Sequence, residues 1–320
     1  MKFIIQPKNS GINIKDFLRR EINPSRRLLT AAKNKPDGIL VNGARVTVRH
    51  VLNAGDILDF NYEEVPAGGN ILSRNEELLG LIEIVYEDDY ILCVNKPPAM
   101  PSHPSFNHFD GTLANAVAAY YFKQNINIKF RPVNRLDKDT SGLVLIAKDK
   151  LISAKLSDMI KRGEIKKVYS AIVSGDLNRI QHSGILSYNR QTQTGSINAP
   201  IRREQHSIIK RICAEDGDYS VTDFKFIKTN GELSLAEVYP LTGRTHQIRV
   251  HFQTAGAPLL GDDLYCDSLD FAAALSEKYN IKRQALHAAS LEFVHPAYAA
   301  VIKIECAPPE DMEKIIREFL

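Results

Sequence analysis

At 320 residues, with 44% apolar and 25% charged residues, the chain has an ordinary globular composition and room for one large domain plus a small one. Four scattered cysteines with no Cys-x-x-Cys pair argue against a disulfide scaffold or a zinc module. Phe3-Ile4-Ile5 is too short for a signal peptide or anchor, and no 18-residue apolar stretch follows, so a soluble, cytoplasmic protein with no membrane contact is expected.

The net charge of +3 is unevenly spread: residues 1–62 hold 11 Lys/Arg against 5 Asp/Glu. Within them, Ile14, Phe17 and Leu18 repeat at helical spacing behind Asn13, a good N-cap. A second helix is predicted from Ser25, carrying Arg26, Arg27, Leu28, Leu29 and Ala32. Asn42-Gly43 between Ile39–Val41 and Arg45–Val48 is a strong hairpin signal, and a further strand follows the turn at Asn53–Asp56. A basic two-helix and β unit of this size suits either a nucleic-acid-gripping appendage or a solvated charged face, and charge alone does not separate them. Residues 63–79, with Pro66-Ala67-Gly68-Gly69-Asn70, read as a connector, leaving 80–320 as the second domain.

That domain opens with two β runs, Glu83–Tyr86 and Tyr90–Val94, and a rigid exit at Asn95-Lys96-Pro97-Pro98 to which we assign no chemical role. A helix is predicted over Thr112–Phe122. The apolar run Leu143–Ala147 suits a strand buried on both faces. The loop feeding it carries Arg135 and Asp137, most often a simple loop ion pair, although a carboxylate so held can serve as a nucleophile. A helix over Leu151–Arg162 ends at Gly163, and Tyr169 follows in a β run where a core aromatic is the ordinary reading. Residues 176–235 read as antiparallel strands, with a hairpin at Asn230-Gly231. Beyond a turn at Gly243, the residues to Phe252 are predicted to form a helix with Arg244, His246, Arg249 and His251. His246 and His251 are five apart with no Glu of a His-Glu-x-x-His type, so no metal site is expected. No P-loop, Gly-x-Gly-x-x-Gly or Gly-x-Ser-x-Gly motif occurs. The fold class is α+β, a mixed, largely antiparallel sheet flanked by helices, plus the small N-terminal αα-β domain.

Three stretches carry a family resemblance: Arg135-Leu136-Asp137 with Thr140-Ser141-Gly142-Leu143; Lys167-x-Tyr169-x-Ala171-x-Val173-x-Gly175; and Thr242-Gly243-Arg244-Thr245-His246-Gln247-Ile248-Arg249-x-His251. Together they resemble the RluA-type pseudouridine synthases over roughly residues 80–310, with one departure, Asn134 where that family usually has His. The resemblance implies that Asp137 is the catalytic residue, that Tyr169 faces the target base and that Arg249 pairs with the carboxylate. It further implies that Arg135 fills the space left by an extruded base, and that Arg244, His246 and Gln247 bind substrate. Residues 10–62 resemble an S-four-like RNA-binding module, whose Arg19, Arg20, Arg26, Arg27 and Lys33 would face phosphates. The expected enzyme is a monomer that needs no cofactor and acts on RNA, with large-subunit rRNA ahead of tRNA. Two other readings remain at this point: a non-catalytic RNA-binding or ribosome-assembly protein, and a carboxylate hydrolase using Asp137 with Asp139.

Overall fold

The computed structural model describes every residue except 23, 25, 62–75, 105–109, 127, 176–184 and 267–269, and the side chains of all of these but 26–28, 76 and 270. The expected helix start at Ser25 and most of the 63–79 connector lie outside the described residues. The chain divides into two compact units, Met1–Ile71 with Asp149–Asp158, and Leu72–Lys148 with Met159–Leu320.

In the first unit, β1 (Lys2–Ile4) precedes helices α1 (Ile14–Glu21) and α2 (Arg26–Lys33), followed by β2 (Ile39–Val41), β3 (Ala44–Arg45) and β4 (Ile57–Phe60). The Asn13 side chain accepts from the Asp16 amide at 2.9 Å and caps α1. Asn42 and Gly43 both take left-handed backbone angles, which the two-residue hairpin requires, and the Asn42 amide also bonds Asp56 and the Ile57 N–H. The sheet order is β1-β4-β2-β3, so Phe3 and Ile4, apolar residues with no strand assigned to them from sequence, pair with β4. Ile14, Phe17, Leu18, Leu52, Leu58 and Phe60 form the core, and Leu151, from the 149–158 segment, is buried among them.

The second unit begins with β5 (Glu83–Glu87) and β6 (Ile91–Lys96), then α3 (Leu113–Lys123) and β7 (Ser141–Ala147); α4 (Lys150–Lys161) follows, most of it in the 149–158 segment of the first unit. β8 (Lys166–Ser174), β9 (Leu186–Asn189), β10 (Thr194–Asn198), β11 (Ile201–Arg203), β12 (Arg211–Cys213), β13 (Val221–Thr229) and β14 (Leu233–Pro240) follow. Next come α5 (Gln247–Thr254), α6 (Asp263–Cys266), α7 (Asp270–Lys278), β15 (Leu286–Val294), β16 (Val301–Glu305) and α8 (Glu310–Phe319). The main sheet runs β5-β6-β7-β15-β8-β14-β13-β10-β9, with β16 on β15. Its described pairs are antiparallel save β7 with β15, so the sheet is mixed and largely antiparallel, as expected.

Every residue of β7 is buried, which is why its sequence is uninterruptedly apolar after the first two residues. Gly142 at φ 111° lets β7 approach β15: a Cβ there would stand 2.4 Å from the Ala288 carbonyl oxygen. Alternation along the strands sends Val144, Ile146, Ala171, Val173, Phe224 and Val238 to one face. There they form two clusters, one packed against α3 through Leu113 and Val117, the other against α5 through Ile248 and Phe252. Tyr169 touches both. Ile172 and Leu233 point to the opposite face, against Met312 and Ile315 of α8.

Candidate active site

A cleft of about 740 Å³ opens on the Tyr169 face, within the size range of small-ligand sites. Asp137, Arg135, Tyr169, Arg244, His246, Gln247 and Arg249 all line it, although they come from three separate stretches of chain.

The loop before β7 is pinned from several sides. Asn134 donates to the Leu143 carbonyl at 3.0 Å and accepts from the Leu145 N–H at 2.8 Å, so its amide stands in for a missing strand residue beside β7. This is what the residue at the departure position does. Ser102 donates to the Leu136 carbonyl at 2.7 Å, and Gln284 donates to Thr140. Lys96 is fully buried and donates to the carbonyls of Pro97, Met100 and Lys138 at 2.8, 2.8 and 2.9 Å. Burial pushes its ammonium down to about 7 against the opposing charges of Asp139 and Asp137, and the three carbonyl acceptors use all three of its protons. The sequence assigned this lysine no role; in the fold it ties the Pro97–Met100 turn to the loop holding Asp137.

Arg249 is buried on α5 and lies between two carboxylates. It forms a two-pronged pair with Asp262, Nε to Oδ2 and Nη2 to Oδ1 both at 2.7 Å, and its Nη1 donates to Asp137 Oδ2 at 3.2 Å. The guanidinium lies 5.1 Å from the Tyr265 ring centre. Burial works against its charge, but the hydrogen bonds and charge of Asp262, then of Asp137, more than compensate and raise its pKa. Asp262 thus fixes the arginine through Nε and Nη2, and Nη1 faces Asp137. The side chain of Asp137 is 29% exposed against 0% for Asp262, so the more loosely held of the two carboxylates is the one open to a ligand. Nothing local in the sequence marks Asp262 as the partner of a residue 13 positions earlier.

His246 lies ahead of α5, not on it as expected, and takes a left-handed conformation at φ 57°. Arg244 also precedes the helix. The Tyr265 hydroxyl accepts from the Arg211 N–H at 2.9 Å and shares a hydrogen bond with His246 Nδ1, 3.0 Å away. His246 Nε2 is 3.7 Å from Asp137 Oδ2. Burial lowers the His246 pKa, with Asp137 opposing and Arg249 reinforcing the shift.

Gln247 was expected to touch substrate, but its amide is saturated within the chain. It accepts from Thr242 Oγ1 and the Arg244 N–H, and donates to the Val221 carbonyl and Thr222. His251 is likewise spent, on Thr222 and the Ala199 carbonyl. Arg135 and Arg244 are exposed at the cleft wall. Asp139 is not among the cleft-lining residues, and its carbonyl accepts from Arg283. Among the described residues no three His, Cys, Asp or Glu side chains are grouped to hold a metal ion, and no helix is long and apolar enough to cross a membrane.

In the first unit, Lys15, Arg19, Arg20 and Lys33 are exposed, opposite the buried Ile14, Phe17 and Leu18. Arg26 and Arg27 begin α2, and their side chains lie outside those described.

The fold is similar to that of the human RNA pseudouridylate synthase domain containing 4, with a TM-score of 0.56 and 20% identity over 73% of this chain and 91% of that one. Residues 90–254 match the family described as RNA pseudouridylate synthase, and the chain belongs to that family. It is a pseudouridine synthase, an isomerase acting on RNA. It is 35% identical to the uncharacterized RNA pseudouridine synthase YjbO of Bacillus subtilis over 93% of this chain and 96% of that one. To the ribosomal large subunit pseudouridine synthase D of Pseudomonas aeruginosa it is 34% identical, over 87% and 82%.

Proposed function

We propose that this enzyme converts uridines of large-subunit ribosomal RNA to pseudouridine, with Asp137 as the nucleophile. The observation that carries the reading is the exposed edge of Asp137 at the cleft floor, fixed by an arginine whose other partner, Asp262, is fully buried. The relatives named for the large ribosomal subunit support rRNA as the substrate.

The reaction breaks the bond from N1 of uracil to the sugar, turns the base and joins C5 to the same carbon; N1 gains a proton and C5 loses one. Nothing is oxidised and no group enters, so no cofactor is needed. An Asp137 oxygen forms the transient covalent bond, to the anomeric carbon or to the uracil ring, and leaves as carboxylate when the new glycosidic bond is made. Extruding the base costs about a few kcal/mol, least in loops. Arg135, free at the wall, occupies the vacated space, and Tyr169 stacks on the uracil for about 1–3 kcal/mol. Burial and then the Asp137 charge push the Tyr169 phenol upward, so it stays protonated. It can take the C5 proton only by passing its own on, and the released Asp137 carboxylate is the acceptor beside it. The protein acts as a cytoplasmic monomer, and the basic face of α1 and α2 grips RNA through phosphates without reading sequence.

Mapping pseudouridines in rRNA and tRNA from cells with and without the gene tests the substrate. Loss of one or more large-subunit sites is expected. Loss confined to tRNA would replace rRNA by the other substrate, and an unchanged map would refute both.

A further inference from the structure

Lys167 stands two residues before Tyr169 on β8, and alternation along the strand puts both side chains into the same cleft. The lysine is largely buried, and among the described residues no carboxylate or carbonyl lies within bonding distance of its ammonium. Burial lowers its pKa, and no neighbouring charge contributes to the shift. Lys96, the other buried lysine of this region, shows what a structural role looks like: three carbonyls saturate it. Lys167 has none of that. A desolvated cation without an anion is unfavourable in the free protein, and it is retained where a ligand brings the missing charge. Uracil and ribose are neutral; the one full negative charge of a nucleotide is its phosphate.

We infer that Lys167 is a substrate-binding residue that takes a backbone phosphate next to the target uridine in this cleft. Its position two residues from Tyr169, roughly 7 Å along the strand, separates phosphate contact from base contact. The inference rests on the reading of this cleft as the RNA site. The phosphate clamp sets where the sugar sits over Asp137, and it belongs to binding rather than to the chemical step.

The test compares Lys167→Met and Lys167→Arg in the full-length chain. Binding to large-subunit rRNA is measured against salt in an Asp137→Ala background, so that a slope is obtained whether or not that RNA holds the substrate uridine. For Lys167→Met the slope of log K against log salt should shrink by about 0.7–0.9, one phosphate contact, and KM should rise about tenfold with kcat within about twofold. Lys167→Arg should keep the wild-type slope. Because no partner in the protein is lost, the Met variant should melt no lower than wild type. An unchanged salt slope, a fall confined to kcat, or a lower melting temperature would each overturn the assignment: the first removes the phosphate, the second moves the lysine to the reacting base, and the third makes it structural. Failure to find any modified rRNA would leave the slope measurement standing and count against the proposed substrate alone.

Discussion

The cleft and the first helix of the chain use charge in opposite ways. At the cleft, Arg249 is shared by two carboxylates, Lys96 is saturated by carbonyls and Asn134 is bonded at both ends of its amide, so each polar group has one available position. On α1, Lys15, Arg19 and Arg20 stand in solvent over an apolar seam with their side chains free to move. Buried, hydrogen-bonded charge gives position; exposed charge gives affinity that fades with salt. Under the proposed mechanism, placing a carboxylate against one atom calls for the first kind and holding a long polyanion for the second.

The sharpest attack on that division is Asp137→Ala. Turnover should fall by about 10⁴-fold or more while RNA binding stays within a few-fold of wild type; appreciable product from the variant in a single-turnover assay would remove Asp137 from the chemistry. Asp262→Ala comes next. It leaves Arg249 buried with one distant partner, so a loss of about 3 kcal/mol in denaturant unfolding and about 10²-fold in kcat are expected together. A variant that kept kcat while losing stability would show that Asp262 supports the fold alone.

The interior also makes a pH prediction. Burial pushes His287 down to about 4, and His103, His246, His251 and His295 are lowered from 6.5 by the same cause. Below 6.5 the unfolded chain takes up protons that the fold refuses, so stability is whole above that value and falls as the pH drops toward 4. His287 alone contributes up to about 3 kcal/mol of that fall. Urea midpoints at pH 7.5 and 5 should differ, and His287→Gln should lessen the difference; equal midpoints for the wild-type chain would contradict it. The smallest effect belongs to the exposed face. Arg19→Gln with Arg20→Gln should reduce the salt slope of RNA binding by about 1.5 and leave the melting temperature within about a degree. A loss of binding independent of salt would mean that α1 does more than hold phosphates.

Much of this was readable from the residues because its causes are local. Leu143–Ala147 announces a strand with both faces covered, Asn42-Gly43 and Asn230-Gly231 announce hairpins, and Asn13 announces a helix start. Asp137, Tyr169 and Arg249 lie in the family blocks and line one cleft. What escaped depends on partners far along the chain. Phe3-Ile4 becomes a strand only by pairing with residues 57–58, and Leu151 joins a core built from residues before 61. Lys96 in a Pro-rich turn looks like any surface lysine until its acceptors at Met100 and Lys138 are in place. The sequence around His246 suits a helix, whereas its left-handed backbone and its bond to Tyr265, 19 residues on, are not marked locally.

The pairing of β7 with β15 has a consequence for how the enzyme is made. Ala288 abuts Gly142, and Arg283 and Gln284, just ahead of β15, hold Asp139 and Thr140. The loop bearing Asp137 therefore receives part of its support from residues added 144 positions later. A polypeptide stopped before residue 283 has the supports that Lys96, Ser102 and Asn134 give this loop but lacks those from Arg283 and Gln284.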